Sequence, residues 1–376
     1  HDYADYTDDE EDEFFSGTDY QQDLDFWKKR GTAWVEETRQ RVPKPVRRVL
    51  IVCSVIAVIL WVVFIFFLNP WLKEHAFWNN VYSSALVASK NDGMPTYGSQ
   101  LELTFENMIQ VATLDKTHLP HGKRPGRLIF IGDVHGCKAE LVHLLSKTAF
   151  DKHRDHVILT GDIINKGPDT PGVVDLARSL GASCVRGNHE DKVLLLRDEL
   201  ARHGTLHHPS KEQLAHEAKL PASEARARKT ARQLSDEQAA WLAACPVILR
   251  IGDLPGMGSV IAVHAGLAPG VALTKQDPFQ VMNMRSMDPE TRVPSENREL
   301  EKWDKVWAEW QERAKKGDRA VVVYGHDSKR GLNVKGKWAK GLDSGCVNGE
   351  KLTALVVDAE GKQEIVQVKC SEDNRG

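Results

Sequence analysis

Five short clusters in this 376-residue chain set oxygen and nitrogen donors beside glycine. They are Gly132-Asp133-Val134-His135-Gly136, Gly161-Asp162, Gly187-Asn188-His189-Glu190, Val263-His264-Ala265-Gly266 and Tyr324-Gly325-His326-Asp327. Asp, His and Asn without a thiolate suit Zn, Mn, Fe or Co in a hydrolytic centre. One carboxylate can bridge two such ions, which then stabilise in-line displacement at phosphorus. A histidine beside them can protonate the leaving oxygen. Each cluster alone is weak, because a lone Gly-Asp is usually a turn and a lone buried histidine usually a satisfied core residue. Five in order form a specific pattern.

The clusters need elements that bring them together. Each follows a short apolar run, at 127–132, 156–161, 182–187, 259–263 and 320–325. Further strands are expected at 247–251, 352–358 and 363–369. Helices are expected near 137–149, 171–180 and 190–202. This alternation predicts stacked α/β layers with ligands gathered at the carboxyl ends of strands. The polar, alanine-rich stretch 200–243 reads as a helical cap. The stretch 288–318 also reads as helical, with Trp303, Trp307 and Trp310 at i, i+4, i+7 as a packing stripe.

Charge divides the chain. Residues 1–25 carry eleven acidic side chains and no Lys or Arg, and residues 26–48 carry eight Lys or Arg and two acidic ones. Residues 1–48 therefore read as a disordered tail, acidic then basic. Residues 49–68 are uncharged, and about 1.5 Å per residue carries them across a roughly 30 Å hydrocarbon core. Arg39, Arg41, Lys44, Arg47 and Arg48 precede the span, while Lys73 and Glu74 after it cancel. The positive-inside rule puts the N-terminus in the cytosol and the rest in a lumen. Trp61, Trp71 and Trp78 are candidates for the membrane interface. Residues 69–122 read as a lumenal stalk and 123–376 as the catalytic domain. That domain is nearly neutral, so it must grip an anion by local charge. Six cysteines without a CxxC pair leave room for one or two bridges in an oxidising lumen.

The series GDVHG, GDIINKG, GNHE, VHAG and YGH resembles the phosphoprotein-phosphatase branch of the calcineurin-like metallophosphoesterases, over about 127–360. The resemblance implies a β-sandwich flanked by helices and two divalent ions, Zn first and Mn, Co or Fe as alternatives. It implies that Asp133, His135, Asp162 and His326 hold one or both ions, with Asp162 as the bridge. Asn188 and His264 would complete the second site, and His189 would be the general acid. The second motif departs from the protein-phosphatase form, with Asn165 for the carboxylate that partners the catalytic histidine and Lys166 for the phosphate-gripping arginine. That variant resembles the ApaH-like phosphatases, as do 263–270, 282–287 and 325–355.

With the N-terminal anchor, the group resembled is that of vacuolar endopolyphosphatases. It implies internal cleavage of polyphosphate in an acidic lumen, at the vacuole membrane. Alternatives are a diadenosine tetraphosphate or other nucleotide polyphosphate hydrolase, a serine/threonine protein phosphatase, and a non-enzymatic polyanion-binding membrane protein. No nucleic-acid duplex binding is expected. Arg186, Arg285, Lys166 and Asn165 are candidates to contact substrate phosphate. Lys329 and Arg330 could line an entrance, and Glu190 reads as a support. The partner that orients His189 stays open among Asp169, Asp191 and Glu190.

Overall fold

The computed structural model describes residues 28–29, 32, 43–69, 72, 108–120 and 126–374. The chain falls into two compact units, residues 1–79 and 80–376. The expectations for the acidic tail 1–25, for Arg39, Arg41, Trp71, Lys73, Glu74 and Trp78, and for most of the stalk lie outside the described residues.

The first unit holds helix α1 (Lys44–Val63), which runs into a π-helical turn at Phe64–Leu68. Pro43 precedes it, and Pro45 sits in the first turn, where its missing N–H costs nothing. A soluble helix hides one apolar stripe. Here Val49, Ile56, Leu60, Trp61 and Phe66 all stay exposed. By length and composition Lys44–Phe66 can cross a membrane.

The second unit is built on two five-stranded sheets. One has the order β1 (Val111–Thr113), β5 (Ile248–Leu254), β6 (Gly258–Val263), β10 (Ala320–Tyr324) and β11 (Ala339–Gly341). The other runs β13 (Gln363–Lys369), β12 (Lys351–Val357), β2 (Leu128–Ile131), β3 (His156–Leu159) and β4 (Ser183–Cys184). β2, β3 and β4 are parallel, as are β6, β10 and β11. Leu128, Phe130, Ile158 and Leu355 of one sheet share a single core with Ile248, Val260, Val321 and Val323 of the other. The alternate residues Ile129, Ile131, Val157 and Leu159 are equally buried. They lie on the opposite face of their sheet, the one that α2 (Lys138–Lys147) covers by packing on β12 and β13. That two-sided burial explains why LIFI and HVIL read as continuous apolar runs.

Helix α3 (Thr170–Leu180) lies between β3 and β4, and α4 (Asn188–Arg202) follows β4. Three helices then fill the stretch expected as a cap: α5 (Lys211–Glu217), α6 (Ala222–Gln233) and α7 (Asp236–Ala243). α6 packs on α4. Arg228 reaches Glu199, Glu217 and Glu224, Arg232 reaches Glu217, and Arg197 donates to the carbonyls of Ala231 and Leu234.

Two expectations fail. Residues 108–120 do not belong to a stalk, since β1 pairs with β5 and Leu114 is buried in the core. The fold thus reaches back before residue 123, through a strand too short to announce itself. The stretch 288–302 is not helical. Asp288 draws the N–H groups of Glu290 and Thr291 into a turn, and Pro289 and Pro294 oppose a helix. A three-stranded sheet forms instead, with β7 (Ser286–Met287) between β8 (Pro294–Ser295) and β9 (Glu301–Lys302). After α8 (Pro278–Asn283), the one remaining α-helix in this region is α9 (Trp303–Arg313). Its Trp303 and Trp307 are buried, but Trp310 is 38% exposed beneath the Arg292 guanidinium.

Candidate active site

Asp162 stands where the loop after β3 meets the start of α4. Gly161 and Asp162 both have positive φ, at 87° and 49°. For aspartate this conformation is strained and persists only if its surroundings impose it. Glu190 imposes it. Its buried carboxylate accepts the backbone N–H groups of Asp162 (2.8 Å), Ile163 (2.8 Å), Ile164 (3.1 Å) and Gly187 (2.9 Å). Burial, with the nearby charge of Asp162, pushes the Glu190 carboxyl up to about 7. A Cβ on Gly187 would lie 2.4 Å from Asp162 Oδ1, so glycine is required there.

The two oxygens of Asp162 face two donor groups. Oδ1 is 3.2 Å from His264 Nε2. That nitrogen is 3.0 Å from Asn188 Oδ1 and 3.1 Å from His326 Nδ1. Oδ2 is 3.4 Å from His135 Nε2 and 3.9 Å from His189 Nε2. Asp133 accepts the His326 backbone N–H at 3.0 Å. All six residues expected as metal ligands are therefore in one place.

The ring tautomers can be read from the far nitrogens. His135 Nδ1 contacts the Ile164 carbonyl (3.1 Å), His264 Nδ1 the Thr160 carbonyl (2.9 Å) and His326 Nε2 the Asn283 carbonyl (3.0 Å). A carbonyl only accepts, so each of these nitrogens carries the hydrogen. In the neutral rings the near nitrogens are then lone pairs, and they converge on carboxylate and amide oxygens in a buried space. Such a set fits divalent cations, with each imidazole oriented by its carbonyl. Burial, with the adjacent Lys166 ammonium, pulls His135 down to about 3. Lys166 Nζ lies 2.9 Å from His135 Nε2.

His189 begins α4, and its Nδ1 is 2.9 Å from Asn165 Nδ2. The orienting partner is thus Asn165 itself. Asp169 caps α3 through the Gly172 N–H, Asp191 pairs with Arg186, and Glu190 holds the backbone. Burial, followed by the charges of Lys166 and His135, keeps His189 well below the usual imidazole range despite Asp162.

Residues 126–348 match the family described as calcineurin-like phosphoesterase. The chain belongs to the calcineurin-like phosphoesterases. A zinc-dependent endopolyphosphatase of Saccharomyces cerevisiae is 30% identical over 269 residues, which cover 65% of this chain and 81% of that relative. A symmetrical bis(5'-nucleosyl)-tetraphosphatase of Coxiella burnetii is 26% identical over 283 residues, covering 62% and 89%. For the same enzyme of Edwardsiella ictaluri the match is 34% over 148 residues and spans 46% of its length. The crystal structure of a candidate diadenosine tetraphosphatase superposes with a TM-score of 0.52 at 30% identity, covering 69% of this chain and 97% of its own.

This calcineurin-like phosphoesterase treats its two arginine candidates differently. Arg186 is buried, with its guanidinium on Asp191 (3.4 Å) and the Ala243 carbonyl (3.1 Å). These contacts tie the end of β4 to α4 and α7. Arg285 donates to the Glu296 carbonyl, and its buried Nε has no partner among the described residues. Burial, with neighbouring Arg298, lowers its pKa, opposed by the charges of Asp327, Glu296 and Asp162. Arg330 is committed to Asp304, Asp327 and the Arg285 carbonyl, and Lys329 is exposed.

Two site residues escaped the sequence reading. Asp343 follows β11 and is buried near Asp133, whose carboxyl is raised by burial and then by the Asp343 charge. Thr230 of α6 donates its hydroxyl to Asn165 Oδ1 at 3.3 Å. Two disulfides brace the same loops. Cys184–Cys245 ties β4 to the chain entering β5, and Cys346–Cys370 ties the segment after Asp343 to the end of β13. Cys137 is a buried thiol pushed up to about 12, mainly by burial.

Proposed function

We propose that this protein hydrolyses phosphoanhydrides with two divalent ions, Zn first, and that its substrate is inorganic polyphosphate cut within the chain. Asp133, His135 and Asp162 would hold one ion. Asp162, Asn188, His264 and His326 would hold the other. When bound, such ions stabilise charge on phosphoryl oxygens and supply a nucleophile at moderate pH. Arg285 keeps its buried Nε without a partner among the described residues and lies within electrostatic reach of Asp162, which favours it as a contact for a phosphoryl oxygen. Lys166 offers a second, single-point contact.

The observation that carries the reading is the partner of His189. Asn165 accepts the Lys166 backbone N–H at 2.9 Å and the Thr230 hydroxyl through Oδ1, so its Nδ2 is the atom that faces His189. An amide nitrogen donates, so His189 keeps its hydrogen on Nε2 and gains no carboxylate to support an imidazolium. A serine or threonine alkoxide needs full protonation to leave. A phosphate chain departs as a stable anion and needs only the Nε2–H hydrogen bond. This favours anhydrides over phosphoprotein esters.

The yeast endopolyphosphatase match supports the polymer. The nucleosyl-tetraphosphatase matches support dinucleoside polyphosphate as the second reading. The apolar α1, its basic flank and the two disulfides support anchoring with the catalytic unit in an oxidising lumen, at a vacuole-type membrane. Full-length protein loaded with Zn or Mn and offered polyphosphate, diadenosine tetraphosphate and a phosphopeptide tests this. Turnover of the phosphopeptide alone would overturn it.

A further inference from the structure

The cap helix α6 sends a polar side chain to Asn165, the residue that contacts His189. Thr230 is 4% exposed, and the neighbouring ion pairs of Arg228 and Arg232 fix its helix against α4 and α5. A helical threonine normally bonds back to a carbonyl one turn earlier. The Thr230 hydroxyl instead reaches Asn165 Oδ1. The other donor on that oxygen is the Lys166 backbone N–H, at 2.9 Å. The Lys166 N–H can only donate, so the amide oxygen lies on that side, and the Thr230 hydroxyl donates to the same atom. The opposite end, Nδ2, then meets His189 Nδ1 at 2.9 Å. Were the amide turned over, its oxygen would select the hydrogen on Nδ1. His189 Nε2, 3.9 Å from Asp162 Oδ2, would then be a lone pair with nothing to give a departing oxygen.

We propose that Thr230 is a positioning residue that locks the Asn165 amide and, through it, the tautomer of His189. The cap is then part of the catalytic apparatus: a helix outside the metal-ligand loops sets which nitrogen of the histidine carries its hydrogen. This rests on the reading that His189 acts at the leaving oxygen. It does not depend on which anhydride is cut.

A double-mutant cycle in full-length, zinc-loaded protein tests it. Thr230→Val keeps the shape and removes the hydroxyl. The account expects kcat about three- to tenfold lower, the effect of one hydrogen bond, with KM and zinc affinity unchanged. Thr230→Ser should restore kcat. In an Asn165→Ala background, Thr230→Val should have no further effect. Equal impairment by serine and valine, or an undiminished valine effect in the Asn165→Ala background, would overturn the proposal. If no substrate turns over, the proposed function fails, and nitrogen-15 NMR of the His189 ring still decides this point. An unprotonated Nδ1 in the wild type that becomes partly protonated in Thr230→Val upholds the lock, and a wild type protonated at Nδ1 refutes it.

Discussion

Asn165 places Nδ2, not a carboxylate oxygen, 2.9 Å from His189 Nδ1. Asn165→Asp would put an acceptor there and stabilise the imidazolium. The variant should gain hydrolysis of a simple phosphomonoester such as p-nitrophenyl phosphate. The gain should be about tenfold relative to its anhydride activity, within the range of general-acid effects. Comparing the two rates in wild type and variant checks this, and an unchanged ratio would count against the role given to Asn165.

Asp162 and His189 should separate in severity. Asp162→Asn removes the carboxylate shared by both donor groups and should reduce turnover more than a thousandfold, along with metal affinity. His189→Ala should cost about ten- to a hundredfold on an anhydride, because the leaving group needs little help. Calorimetric zinc titration beside the kinetics distinguishes the two, since His189→Ala should bind metal nearly as wild type does.

Asp343, just after β11, lies within electrostatic reach of Asp133 and raises its carboxyl after burial does. Asp343→Ala should weaken metal binding about ten- to a hundredfold, the usual effect of losing a residue that orients a ligand. Competition with a chelator measures it. Wild-type affinity would show that Asp133 holds its place alone.

The imidazole of His156 titrates far from the metal ligands. It is buried at the start of β3, stacked on His118 and bonded to Ser183, and burial pulls it down to about 4. In the unfolded chain the same ring protonates near 6.5. Between these values the unfolded state binds the proton better, so stability is complete above 6.5 and declines as pH falls toward 4, by up to about 3 kcal/mol. His156→Gln should flatten the fall in Tm between pH 7 and pH 4.5. An equal slope in both proteins would assign the acid sensitivity elsewhere.

The sequence was most legible where residue type and strand end coincide. Asp133, Asp162 and His326 each follow a strand buried on both faces, and His264 follows one whose last four residues are buried, so apolar run and polar terminus stand side by side. Asp343 has no such signal, because β11 is three residues long and contains Lys340. Thr230 is one polar residue on a helix of charged residues, and only the folding of α6 onto α4 brings it to Asn165. The helical reading of 288–302 fails because the tryptophan spacing that supports a helix begins only at Trp303, while Pro289 and Pro294 oppose one before it. Arg186 is a phosphate candidate by sequence, and the fold sets Asp191 and the Ala243 carbonyl beside its guanidinium.

Resolving product lengths as full-length, zinc-loaded protein acts on long-chain polyphosphate separates internal cleavage from release at the ends. The account predicts that intermediate lengths appear early, before orthophosphate accumulates, and that they vanish with Asp162→Asn. Intact polymer, or orthophosphate released from the ends with no intermediate lengths, would contradict it.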